Sequence, residues 1–145
     1  MLEFSKSGQI LFDSLQSAMK LVCAIVGAPG DVFQVDTTED ESVAGLKDVI
    51  KAKKPLFFGY IDAMQLVLYL AKKDGAWLSY NDPATQELRK GVLHHNVQTI
   101  FNANPLWETW PVGSVLEINH MTKPKSRQIH VLVKAPDSCL KANRY

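Results

Sequence analysis

A chain of 145 residues that is 46% apolar is long enough to bury one hydrophobic core and short for two independent ones. Sixteen Lys and Arg against fifteen Asp and Glu leave a formal charge of +1, so no global field draws it onto nucleic acid or anionic lipid. No stretch approaches the roughly 18 apolar residues of a membrane-spanning helix, and a soluble protein is expected.

Met19 and Lys20, followed by the apolar run Leu21 to Ala28, mimic a secretion leader, but the preceding residues include Glu3, Lys6 and Asp13. A strand over residues 20–26 is the favoured reading, with residues 1–19 as an extension of unclear status. Gly27, Pro29 and Gly30 punctuate, and residues 32–36 alternate apolar with polar, which predicts a hairpin. After the acidic run Asp36 to Glu41, Ser42 is a candidate N-cap for a helix over Val43 to Lys54. Val43, Leu46, Val49 and Ile50 share one face of it, Lys51, Lys53 and Lys54 suit its C-terminal dipole, and Pro55 closes it.

From Met64 the period changes to two: Leu66, Leu68 and Leu70 alternate with Val67 and Tyr69, as in a strand buried on one face. Asp74-Gly75 marks a turn, Trp77 and Leu78 begin a returning strand, and Asp82-Pro83 opens a short helix ending near Gly91. Residues 92–114 form an irregular insertion, broken at Asn102, Asn104 and Pro105 and anchored by Ile100, Phe101, Trp107 and Trp110. Strands are expected at Val115 to Ile118 and Ile129 to Val133, joined by a basic turn through Lys123, Pro124, Lys125 and Arg127. Pro136 ends regular structure, and residues 137–145 read as a polar tail.

The chemistry-bearing residues are sparse. Cys23 and Cys139 are far apart and lack neighbours at zinc-ligand spacing, so Cys23 reads as a small buried apolar residue. His94-His95, His120 and His130 have no acidic or cysteine partner nearby, and His130 reads as an outward-facing residue of a strand. The carboxylates from Asp31 to Glu41 lack the spacing of a calcium loop, and Ser42 and Ser114 lack a nucleophile-elbow context. No enzyme, metal or cofactor is expected, nucleic acid is an unlikely partner, and Lys123, Lys125 and Arg127 suit a solvated hairpin tip as well as a phosphate contact.

Hairpin, helix, strand, insertion, strand is an α+β order, and one helix on a mixed sheet is the β-grasp arrangement. At Leu66-Val67-Leu68-Tyr69-Leu70-Ala71-Lys72 the sequence resembles the Leu-x-Leu-Phe-Leu-Ala-Lys signature of Crinkler proteins, secreted effectors of plant-pathogenic oomycetes and fungi, with Tyr69 standing for Phe. The resemblance continues at Lys20 to Gly27, at Asp74 to Leu78, and in a C-terminal block of His130, Val131, Leu132, Val133 and Pro136. It implies a ubiquitin-like N-terminal domain over residues 20–136 that directs secretion and entry into host cells, with a separate effector domain acting there, often in the nucleus. If the chain is the whole protein, that effector domain is missing or reduced to the nine residues after Pro136. A ubiquitin-like module that binds a host or pathogen protein without conjugation is the alternative, since Arg144-Tyr145 offers no terminal glycine pair. In either case a protein partner is implied. By strand alternation Tyr69, with Lys72 and Lys73 at the strand end, is the candidate exposed contact.

Overall fold

The computed structural model describes residues 18–93 and 95–136. β1 (Ala18–Ile25) and β2 (Phe33–Thr38) form the predicted antiparallel hairpin, with Leu21 opposite Val35 and Cys23 opposite Phe33. Alternation sends Leu21 and Cys23 into one apolar cluster and Ala24, with half-buried Val22, into a second. Both faces of β1 are therefore covered.

α1 (Val43–Lys53) starts as predicted: Ser42 Oγ accepts the Gly45 N–H at 3.0 Å, and Val43, Leu46 and Ile50 are buried. Pro55 does more than close it. Proline loses nothing in a first helical turn, and here it opens a second short helix, α2 (Pro55–Phe58). A 3₁₀ turn at Ala63–Gln65, capped by Asp62, leads into β3 (Val67–Leu70).

β4 (Lys72–Lys73) and β5 (Ala76–Ser79) follow as a tight hairpin. Asp74 and Gly75 between them have φ of 55° and 82°, the left-handed pair that a two-residue type I′ turn requires. Asp82 Oδ1 accepts the Ala84 N–H at 2.8 Å and so caps α3 (Pro83–Arg89) as predicted. The insertion contains α4 (His95–Gln98) and a 3₁₀ turn at Thr99–Asn102. Then come α5 (Val112–Ile118), β6 (Gln128–Ile129) and β7 (Val131–Lys134).

The strand expected at Val115 to Ile118 is thus the second half of a helix. Val112, Val115 and Leu116 are buried at i, i+3 and i+4, a helical spacing that becomes visible only when Val112 is included. The N–H groups of its first turn are satisfied from outside: Val112 donates to Glu41 O at 2.8 Å and Gly113 to Glu39 O at 2.9 Å. In return, Val43 and Ala44 at the start of α1 donate to Trp110 O at 2.9 Å and Glu108 O at 3.0 Å. The two helix starts cap each other, each solving the orphan-donor problem of its partner. Beside them Lys47 is buried, with its ammonium 3.4 Å from Glu108 Oε1. The acidic run thereby has a second role, because its carbonyls cap α5 while Glu39 and Asp40 are exposed.

The main sheet has the order β2-β1-β7-β3, with β1 and β7 parallel at its centre and the outer pairs antiparallel. A second sheet has the order β4-β5-β6. The content is α+β, as expected. α1 and α5 pack on one face of the main sheet through the cluster that holds Leu21, Leu46, Leu68, Val115 and Val133. The other face carries α3 and the insertion, through Leu88, Val97, Ile100 and Leu132. A strand buried on both faces needs no polar alternation, which is why Val131, Leu132 and Val133 are all apolar.

The last strand is not continuous from Ile129 to Val133 but divides at His130, and the expectation that this histidine faces outward is overturned. Its residue is only 1% exposed, and its ring stands edge-on to Trp77 at 4.8 Å. Here β6 has turned away to pair with β5, with Leu78 opposite Ile129, so the backbone of Val22 in β1 lacks a strand acceptor. The imidazole supplies it: Val22 N–H donates to His130 Nδ1 at 2.8 Å, while His130 N–H donates to Val22 O at 2.9 Å. His130 O also accepts the Ala71 N–H at 2.9 Å, and Ala71 O accepts the Leu78 N–H at 2.9 Å. Both segments, β3 to β4 and β6 to β7, therefore change sheets at this joint.

Two outcomes follow from these contacts. Burial pushes the His130 imidazole down to about 4 from an ordinary 6.5, opposed in part by a hydrogen bond that the ring donates to the Lys125 backbone. The folded ring is therefore neutral, and its contribution to stability is complete above pH 6.5 and is lost as pH falls from 6.5 toward 4, where the unfolded chain binds the extra proton. Chemical denaturation across this range is expected to show a fall on the order of 2 kcal/mol that His130→Gln lacks, and a pH dependence identical in parent and variant would contradict the assignment. The second concerns Gly113. Alanine in a free helix is about 1 kcal/mol better than glycine, but a Cβ on Gly113 would lie 2.9 Å from Glu39 Cβ. Gly113→Ala is expected to destabilise by about 1 kcal/mol, read as a lower denaturation midpoint.

Candidate functional site

The signature residues run from Leu66, at the end of the 3₁₀ turn, through β3 and the bend after it to the start of β4. Leu66 and Leu68 are fully buried in the first apolar cluster, and Leu70 packs half-buried against it, as alternation predicts. The opposite face is not open to solvent. Ala71 is fully buried in the second cluster, and Val67 and Tyr69 are half-buried. Tyr69 stands edge-on to Phe101 of the insertion at 4.7 Å, so the ring expected on an exposed face is instead a wall residue shared between β3 and the 3₁₀ turn.

Lys72 and Lys73, expected as exposed contact residues at the strand end, are half-buried and engaged. Lys73 Nζ is 2.7 Å from Asp82 Oδ2, and this ties the hairpin to the residue that caps α3. Lys72 Nζ donates to Asn119 O at 3.1 Å, at the C-terminal end of α5, where the carbonyl dipoles favour a cation. In the C-terminal block, Val131 and Val133 enter the first cluster, Leu132 enters the second, and Pro136 is half-buried beyond the strand. These residues, with His130, form packing and a joint.

Between β3, the insertion and α5 lies a groove of about 560 Å³. Tyr69, Leu70, Trp107, Trp110 and Ile118 give it aromatic and aliphatic walls, and Lys72, Lys73 and Asp74 supply its charge. The two indoles are 5.9 Å apart. Trp110 packs against the first cluster as an anchor, as predicted, but Trp107 is 62% exposed and pins nothing. The sequence reading missed this groove because it took Val115 to Ile118 for a strand. The available signal was the pair of tryptophans just ahead of a helical apolar period.

Other candidate residues do not converge. His95 and His120 are exposed, whereas His94, Cys139 and the segments 1–17 and 137–145 lie outside the described residues. No group of three metal-ligating side chains occurs among the described residues, and no helix there is long and apolar enough to cross a membrane. Burial pushes the Cys23 thiol well above its ordinary range, so it stays protonated. Lys123, Lys125 and Arg127 are exposed in the turn before β6.

Residues 19–134 match the family model described as the Crinkler effector protein N-terminal domain. Crinkler effector protein 63 of Phytophthora sojae is 46% identical over 125 residues, covering 82% of this chain and 28% of that protein. Crinkler effector protein 8 of Phytophthora infestans is 40% identical over 118 residues, covering 80% of this chain and 19% of that protein. Crinkler effector protein 4 of Phytophthora capsici is 35% identical over 120 residues, covering 82% and 26% respectively. The chain thus spans less than a third of the length of these relatives. No solved structure matches. With the signature strand, its flanking blocks and the family match running through the same residues, this chain belongs to the Crinkler effector family as an N-terminal domain of that type.

Proposed function

We propose that residues 20–136 are the secretion and host-translocation module of a virulence-associated effector, delivered into a host cell and on to its nucleus, with residues 1–19 as an extension and 137–145 as a tail. The observation that carries this reading is the family match over residues 19–134, centred on the signature strand. The fold in this reading is a ubiquitin-like β-grasp, supported by a sheet whose first and last strands, β1 and β7, pair in parallel at its centre and by α1 across one face. No catalytic role is assigned to the module. Among the described residues the histidines are exposed or bound up in the sheet joint, and buried Lys47 is paired with Glu108.

A second reading, a module that captures a protein partner without conjugation, is favoured by one feature. Trp107, a large aromatic side chain, is exposed on the rim of a groove whose walls include Leu70, Trp110 and Tyr69 packed on the two cores, as in anchor-binding surfaces. Both readings place the working surface on the groove and not on the buried leucines.

A fusion of the chain to an inert fluorescent cargo separates them. Lys72→Gln with Trp107→Ala changes half-buried and exposed positions and should cost within about 1 kcal/mol of stability, while cargo entry into host cells falls severalfold. Leu68→Ala, which empties a fully buried site, is expected to cost about 3 kcal/mol and to lose entry only through loss of fold. Undiminished entry of the folded double variant removes the groove from delivery. Retained entry combined with lost partner capture favours the second reading.

A further inference from the structure

The groove beside β3 combines an apolar channel, a strand edge and a half-free cation. Tyr69 is opposite Leu132, and Ala71 N–H donates to His130 O, so both of these residues turn their backbone groups toward the last strand. In an antiparallel strand the intervening residues point the other way. Leu68 O accepts the Leu106 N–H at 2.8 Å, so this outer edge already takes one main-chain bond from the insertion. Two residues on, Leu70 presents its backbone groups to the same side, where it lines the groove.

Charge narrows the occupant. Of the two groove lysines, Lys73 is committed to Asp82 at 2.7 Å. Lys72 lies within ion-pair distance of no carboxylate among the described residues; Asp74, which also lines the groove, is exposed in the hairpin turn. Its ammonium has three donors and gives one to Asn119 O. The rest remain for an acceptor, and a half-buried cation gains most from an anionic one. Exposed Trp107 and Ile118 on the rim lose water-facing apolar surface to whatever fills the channel.

From these three features we infer that the groove docks an extended peptide segment of a partner protein, adding it at the β3 edge beyond Leu68. A large apolar side chain of that segment enters between the indoles and Leu70, and an acidic side chain close by in sequence meets the Lys72 ammonium. The inference rests on the groove being the working surface in the reading above, and it supplies the class of partner: an apolar segment flanked by acid. Strand addition gives affinity through main-chain bonds, while the apolar slot and the cation give selectivity.

A random-peptide phage library selected on the full chain tests this directly. The expected result is a consensus with an aromatic or large aliphatic residue next to, or two residues from, Asp or Glu. The consensus peptide should change tryptophan emission on titration, since Trp107 and Trp110 line the site. Lys72→Gln is expected to weaken binding about tenfold, the loss of one charge-assisted hydrogen bond, and Lys72→Glu to shift selection toward basic residues. Trp107→Ala, at an exposed position, should abolish the titration in a chain whose circular dichroism is unchanged. A selection with no apolar–acidic consensus, or a consensus peptide that binds Trp107→Ala or Lys72→Glu as it binds the parent, overturns the inference. Because the assay contains no cells, binding lost with cargo entry intact sinks the peptide site alone, and binding intact with entry insensitive to the groove variants sinks only its use in delivery.

Discussion

The hydrogen bond from Val22 N–H to the His130 ring closes the joint at which the last strand passes from one sheet to the other. At that point the last strand leaves β5 for β1 and β3, and a backbone carbonyl that a regular ladder would offer to Val22 is absent. An unpaired N–H in an apolar interior costs a full desolvation penalty, so a side-chain acceptor is required. Imidazole meets the need only when neutral. The joint therefore requires an uncharged ring in a closed apolar pocket, and Trp77 completes that pocket while its own Nε1–H donates to Thr122 O at 2.9 Å. The signature strand depends on the same joint, because Ala71 bonds to His130 O as it too changes sheets.

The second constraint is the mutual capping of α1 and α5. Each helix starts without a full set of acceptors for its first N–H groups, and each obtains them from the loop leading into the other. The pairing of Ser42 with Pro111 closes the exchange. As a result, the segment that carries Glu108 and Trp110 is fixed against α1, and the Lys47 ammonium beneath it has its carboxylate in reach. Two walls of the groove are positioned by this exchange. Trp110 is anchored, Ile118 and Asn119 are set by the direction of α5, and Lys72 is held over the end of that helix.

Joint and caps together explain why the signature is so apolar. Leu66, Leu68 and Leu70 serve the first cluster, and Tyr69 and Ala71 serve the second, so nearly every side chain in the stretch is needed by one core or the other. Function that works through this strand must then use what is left over: its outer edge, the lysine at its end and the walls that the insertion and α5 bring to it. The docking proposed at this strand does not compete with its part in the two cores, because the two use different atoms.

Local periodicity in the sequence was enough for the hairpin, for α1 with its Ser42 cap, for the Asp74-Gly75 turn and for the Asp82-Pro83 start of α3, since each is decided by neighbours a few residues apart. The blocks around the signature strand were likewise legible, and the family followed from them. What depended on partners distant in the chain was not legible. Val115 to Ile118 is helical because Glu39 and Glu41 cap it from the far side of α1, and His130 is buried because β6 leaves β1 without an acceptor. Tyr69 and Ala71 face a second core and not water because the insertion folds back over them. Alternation along a strand states that its two faces differ, but whether the second face meets solvent or another layer is decided by where the rest of the chain packs.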